Sequence, residues 1–273
     1  MSPWPPRPTG RAHASRRSSP HTVTRPTHLV TADGVTLAVA VRSHPDPRAA
    51  IVIAHGFSGH QHQPEVVGVA AALATAGFTV VTYDGRGHGA STGTCTLGDC
   101  ERLDVAAACE LAREEAPDVI VVGASMGGIA VLRHAATDPD LAAVVTVSTP
   151  AVWRVPRSAR GMLSLLITQT PPGRRLAAAR LGVRLARGRV REAPPVAVAA
   201  QLRVPLAVVH GRADRFVSPK QAELLYRAAP GPRRIDLVPD MGHAFDPLGL
   251  PAIVAAVEWG LEQAPRLEAA GQA

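Results

Sequence analysis

The sequence predicts an α/β domain: a mostly parallel sheet with helices on both faces and a small helical insertion. Short apolar runs bounded by turn residues, such as AIVIAHG (50–56) and DVIVVGAS (118–125), read as strands buried on both faces. Longer Ala/Leu-rich segments alternate with them, which is the pattern of strand–helix–strand units. The alternation lapses over residues 151–200, where Pro156, Pro171, Pro172, Pro194 and Pro195 interrupt Arg-rich stretches. That stretch is expected to be a cap or lid laid over one edge.

In chain order, VTLAVAVR (35–42) reads as the first strand and AIVIAHG (50–56) as the second. Residues 64–76 read as a helix, then FTVVTYD (78–84) as a strand. A helix is expected over 96–116, with Thr96 and Asp99 suited to a capping box. DVIVVGAS (118–125) is a strand, MGGIAVLRHAA (126–136) a helix and AAVVTVS (142–148) a strand. After the insertion follow strand 205–211, helix 219–229, strand 233–239 and helix 250–264. The expected organisation is a Pro/Arg/Ser-rich disordered tail over 1–26, a core first part over 27–150, a cap over 151–200, a core second part over 201–265 and a short tail over 266–273.

Composition narrows the function classes. The first 26 residues lack the apolar segment of a secretory signal, and no apolar run is long enough to span a bilayer, so a cytoplasmic protein without stable membrane insertion is expected. The formal net charge is +7, but ten arginines without an acid lie in 151–191 and five more lie in the tail. The rest of the chain is net acidic, and aromatics are 3%. Neither a basic stripe interleaved with aromatics nor a zinc-finger spacing is present, so no nucleic-acid partner is expected. Cys95, Cys100 and Cys109 are an odd set with no zinc spacing and read as reduced thiols. In the insertion, Arg180, Arg184, Arg187 and Arg191 fall at helical spacing opposite Leu181 and Leu185. This is a basic amphipathic pattern, read first as a solvated helix face and alternatively as a surface for anionic lipid or an acidic substrate. MLSLLI (162–167) is expected to bury the cap on the core rather than to line an acyl pocket.

The strongest local signal is G-A-S-M-G at 123–127, a G-x-S-x-G between a strand and a helix. A sharp turn there lifts the Ser125 hydroxyl out of the sheet, and Gly123 and Gly127 permit close backbone approach. A serine hydroxyl needs a base within hydrogen-bond reach, and a histidine braced by an acid supplies one near neutral pH. His243 is the histidine placed late in the chain after a strand; His55, His60, His62 and His88 come earlier. For the acid, Asp214 follows the strand ending in VVHG, whereas Asp240 and Asp246 flank the histidine too closely and Asp236 lies on a strand. Strand ends on one side of a parallel sheet converge on one crevice, so these distant residues can meet.

With these motifs, residues 30–265 resemble the α/β-hydrolase superfamily, most closely its single-domain esterase, lipase and aminopeptidase branch. H-G-F (55–57), Y-D-G-R-G-H-G-A-S (83–91), G-A-S-M-G, H-G-R-A-D (210–214) and M-G-H-A-F (241–245) stand in that family's order. The resemblance implies the α/β-hydrolase fold and a catalytic triad of Ser125, Asp214 and His243. It implies an oxyanion hole from the backbone N–H groups of Phe57 and Met126. His55, Arg86 and His88 are expected to hold loops rather than to react. A serine at position 125, rather than an aspartate, favours acyl transfer to water, so hydrolysis of a carboxylic ester or thioester of a small acyl substrate is expected, with no metal and no organic cofactor. Alternatives are a serine aminopeptidase or acyltransferase on the same fold and, from another class, a non-catalytic small-molecule binding protein. An exopeptidase would need an acidic anchor for the substrate amine, and residues 151–191 contain none. The sequence does not fix the oligomeric state.

Overall fold

The computed structural model describes residues 23–152, 163, 166–187 and 192–264, with side chains from residue 27 onward. Eight strands form one sheet: β1 (Val23–Val30), β2 (Thr36–Ser43), β3 (Ala50–Ala54), β4 (Thr79–Tyr83), β5 (Val119–Ala124), β6 (Ala143–Val147), β7 (Leu206–Gly211) and β8 (Arg233–Val238). Their spatial order is β1-β2-β4-β3-β5-β6-β7-β8. The β1–β2 and β2–β4 pairs are antiparallel, and all pairs from β4 to β8 are parallel.

The α-helices among the described residues are α1 (Pro64–Thr75), α2 (Glu101–Glu115), α3 (Met126–Ala135), α4 (Pro171–Leu176), α5 (Pro195–Ala199), α6 (Lys220–Ala228) and α7 (Leu250–Gln263), and of these all but α4 pack into the layers on the two faces of the sheet. Every residue of β3, β4, β5, β6 and β7 is buried, as the continuous apolar runs predicted. Alternate residues of one strand serve opposite faces. Val119 and Val121 pack with α2, α3, α5 and α6, whereas Ile120 and Val122 pack with α1 and α7. Two apolar layers thus clamp the central strands, and the loops at the strands' C-terminal ends are free to carry chemistry. No helix among the described residues is long and apolar enough to cross a membrane.

Four features differ from the sequence reading. The first strand begins at Val23, inside the stretch read as tail; residues 1–22 lie outside the described residues. β1 is an edge strand, so Pro26 is tolerated there. The helix expected from residue 96 starts at Glu101. Leu97 and Gly98 have φ of 66° and 105°, and the Glu101 carboxylate folds back onto the Thr96 N–H, the Thr96 hydroxyl and the Gly98 N–H. Asp99 does not complete a capping box but pairs with the buried Arg133 at 2.9 Å.

Over its described part, residues 180–187, the expected basic helix also does not form. A short π-helical turn over Ala177–Leu181 ends at Gly182, whose φ is 65°. The chain then runs extended beside Cys95, and Arg184 exchanges backbone hydrogen bonds with Gly87 and Cys95; Arg191 lies outside the described residues. Finally, α5 falls within the stretch read as cap, yet Val198 and Ala199 are part of the main core. Of MLSLLI, Leu163 and Leu166 are exposed rather than buried on the core, and Met162, Ser164 and Leu165 lie outside the described residues.

Candidate active site

The turn from β5 into α3 carries Ser125 in a conformation rare for any residue with a side chain, φ 52° and ψ −111°. Such backbone costs on the order of 1–3 kcal/mol and persists only where its surroundings impose it. Here the Ser125 N–H donates to Val147 O at 2.8 Å, tying the turn to the end of β6. Two glycines make the turn sterically possible. A Cβ on Gly127 would strike the backbone carbonyls of Ala54 and His55, and one on Gly123 would strike the backbone of Gly127 and Gly128. Ser125 itself is half-buried at the strand's C-terminal edge.

Asp214 and His243 come together across the loops after β7 and β8. His243 Nδ1 donates to Asp214 Oδ2 at 2.7 Å. The other carboxylate oxygen accepts from the Phe216 and Val217 N–H groups at 2.8 and 2.9 Å. Burial works to raise the Asp214 carboxyl, but these donors, His243 first among them, outweigh it and hold the group below the usual carboxylate range. The two loops are further joined by Ala213 N–H donating to Met241 O at 3.1 Å, and Asp246 fixes the histidine loop by accepting from the Gly242 N–H at 3.0 Å. Of the rival acids, Asp246 therefore braces backbone and Asp236 pairs with Arg234 at 2.7 Å.

The structure does not bring Ser125 Oγ and His243 into a direct hydrogen bond.

Phe57 follows Gly56 in the loop after β3, packed so that a Cβ on Gly56 would sit 3.5 Å from Ser125 Cβ. The turn closed by Gly59 N–H to Gly56 O leaves the Phe57 N–H without an acceptor among the described residues. Met126 is the first residue of α3, where helix geometry leaves the backbone N–H unpaired within the helix. Met126 is the chain neighbour of Ser125, and Phe57 follows the glycine that packs against it. His55 sets the Phe57 loop: its Nδ1 donates to Gly56 O at 2.8 Å, and its Nε2 accepts from the Gly85 N–H at 2.9 Å. Burial, with His88 close by, pushes His55 down to about 4, so the ring is neutral and keeps this tautomer. Arg86 holds the next loop through Asp104 (2.8 Å) and Asp33 (2.7 Å), and His88 packs edge-on against His55 and Phe57.

Two neighbours of the site escaped the sequence reading. Phe216, 63% exposed, lies with its ring 5.1 Å from the His243 ring. His210, fully buried on β7, donates from Nε2 to Val217 O at 2.9 Å and stands 3.5 Å from Asp214 Oδ2. Sequence periodicity gives no signal for either; the spacing His210–Asp214 within H-G-R-A-D was visible, but not its direction.

Known proteins agree with this architecture. The family model for Hydrolase_4, serine aminopeptidase S33, matches residues 45–198, just over half of the chain. A monoacylglycerol lipase of Mycolicibacterium smegmatis is 35% identical over 112 residues, which span 39% of this chain and 39% of that protein. Among solved structures, the Pyrococcus furiosus esterase Pf2001 superposes with a TM-score of 0.69 at 19% identity, over 89% of this chain and 93% of that one. A Xanthomonas campestris α/β serine hydrolase described as lacking a lid superposes with a TM-score of 0.59 at 24% identity, over 90% and 97% of the two chains.

Proposed function

Because the chain belongs to the Hydrolase_4 (serine aminopeptidase, S33) family and is an α/β-hydrolase enzyme, we propose that it cleaves a carboxylic ester or thioester through Ser125, His243 and Asp214. The observation that carries this reading is the short Asp214–His243 hydrogen bond, made by loops that leave the same C-terminal end of the parallel strands as the strained Ser125 turn. Asp214, ionised and acceptor-only, fixes the proton of His243 on Nδ1 and leaves Nε2 as the base. His243 takes the Ser125 proton as Oγ attacks the carbonyl. The Phe57 and Met126 N–H groups receive the developing oxyanion. His243 then protonates the leaving group, and water repeats the sequence on the acyl-enzyme.

The family match supports a second reading, removal of an N-terminal residue from a peptide. The same active-site steps apply, with an amine leaving group. One panel separates the two: short- and long-chain nitrophenyl esters beside aminoacyl anilides, with wild type, Ser125→Ala and His243→Ala. Ester turnover lost in both variants by about 10³-fold or more supports the first reading. Turnover confined to the anilides supports the second, and ester turnover retained in Ser125→Ala overturns both.

A further inference from the structure

Behind the pair of Asp214 and His243 lies a second imidazole that the mechanism above does not use. His210 is the penultimate residue of β7, and its side chain is wholly buried. Its Nε2 meets only acceptors, Val217 O at 2.9 Å and Asp214 Oδ2 at 3.5 Å, so the ring must carry its proton there. Nδ1 is then a lone-pair acceptor, buried and without a partner. The Ser148 hydroxyl is also buried without a partner; it follows Val147, which pairs with Val209, and Ser148 N–H donates to Val209 O at 3.0 Å. An unpaired acceptor on β7 and an unpaired donor just past the end of the neighbouring β6 are unusual in a packed interior. His210 stands directly beside the acid, its Nε2 3.5 Å from Asp214 Oδ2.

We propose that His210 is a positioning residue for Asp214, stapling the acid's loop and turning a second imidazole N–H toward the oxygen that His243 uses. The staple spans the loop: His210 holds Val217 O, while Val217 N–H and Phe216 N–H hold Asp214 Oδ1. The carboxylate plane is thereby fixed from both ends, which sets the direction in which Oδ2 meets His243. The charged or titratable groups that face His210 are Asp214 on the following loop and His243 from the loop after β8. Burial disfavours the charged form of His210, so it lends a dipole to Asp214 without neutralising it. The inference rests on the triad reading above.

The test is the pH profile of kcat/KM on a nitrophenyl ester for wild type, His210→Phe and His210→Gln, with Ser125→Ala as control. In His210→Phe, kcat should fall on the order of tenfold to a hundredfold with KM held within about twofold, as expected when an aligned group is released. The acid limb should move up by about half a pH unit, because Oδ2 then acts on His243 alone. Glutamine can still donate an amide N–H to Val217 O, so His210→Gln should recover most of kcat and the wild-type limb. A purely structural residue would lower Tm and leave the limb in place, and that result overturns the proposal. So does kcat of His210→Phe within about twofold of wild type. In the wild-type protein, whatever the variants' folding, ¹⁵N-imidazole NMR should show His210 as the Nε2–H tautomer; an Nδ1–H tautomer contradicts the assignment. Activity persisting in Ser125→Ala would bring down the triad reading itself and this role with it. An inactive Ser125→Ala with an unmoved His210→Phe limb removes only the role of His210.

Discussion

His243 Nδ1 lies 2.7 Å from Asp214 Oδ2, with the carboxylate side chain wholly buried and the imidazole 23% exposed. An acceptor-only group out of reach of solvent dictates one tautomer for its partner. Asp214→Asn keeps the shape and presents an amide that can hold the wrong tautomer. The expected outcome is a fall in kcat of about 10³- to 10⁴-fold with little change in fold. Steady-state kinetics with circular dichroism on the same sample checks this; a loss under tenfold would mean that Asp214 does not orient His243.

Gly127 lets α3 start directly against the end of β3. Adding a methyl group there drives it into the backbone carbonyls of Ala54 and His55, atoms that cannot rotate away. Gly127→Ala is therefore expected to destabilise the protein by about 1–3 kcal/mol, the range of core overpacking. Denaturant titration measures it, and a change below about 1 kcal/mol would show that the turn has room.

His55 connects the Phe57 loop to pH. Its folded pKa, about 4, lies below the ordinary 6.5 because burial penalises the cation. The unfolded chain therefore takes up the proton first as pH falls. The stabilising contribution is complete above about pH 6.5, declines below it and is gone once pH passes the folded value near 4, a loss of roughly 3 kcal/mol. Unfolding free energy of wild type and His55→Gln, measured across this window, should converge toward acid pH. Parallel curves would remove His55 as the source.

Much of this was legible in the sequence, and the exceptions have physical causes. Central strands such as Val119–Ala124 announced themselves because burial on both faces demands unbroken apolar runs. Ser125 was visible because its turn needs glycines at fixed offsets. Edge strand β1 was not, since half of its backbone faces away from the sheet and VTRPTHLV needs no apolar run. The start of α2 depended on a long loop closing onto Glu101, and the Arg pattern after residue 180 was cut by one left-handed glycine. His210 and Phe216 gain their meaning only from neighbours distant in sequence, which periodicity does not encode.

Stoichiometric labelling with a fluorophosphonate, mapped by peptide mass spectrometry, asks whether Ser125 is the activated nucleophile. One adduct per chain is expected, on Ser125, formed slowly or not at all in His243→Ala and absent in Ser125→Ala. Labelling of another residue, or an unlabelled and folded wild-type protein, would contradict it.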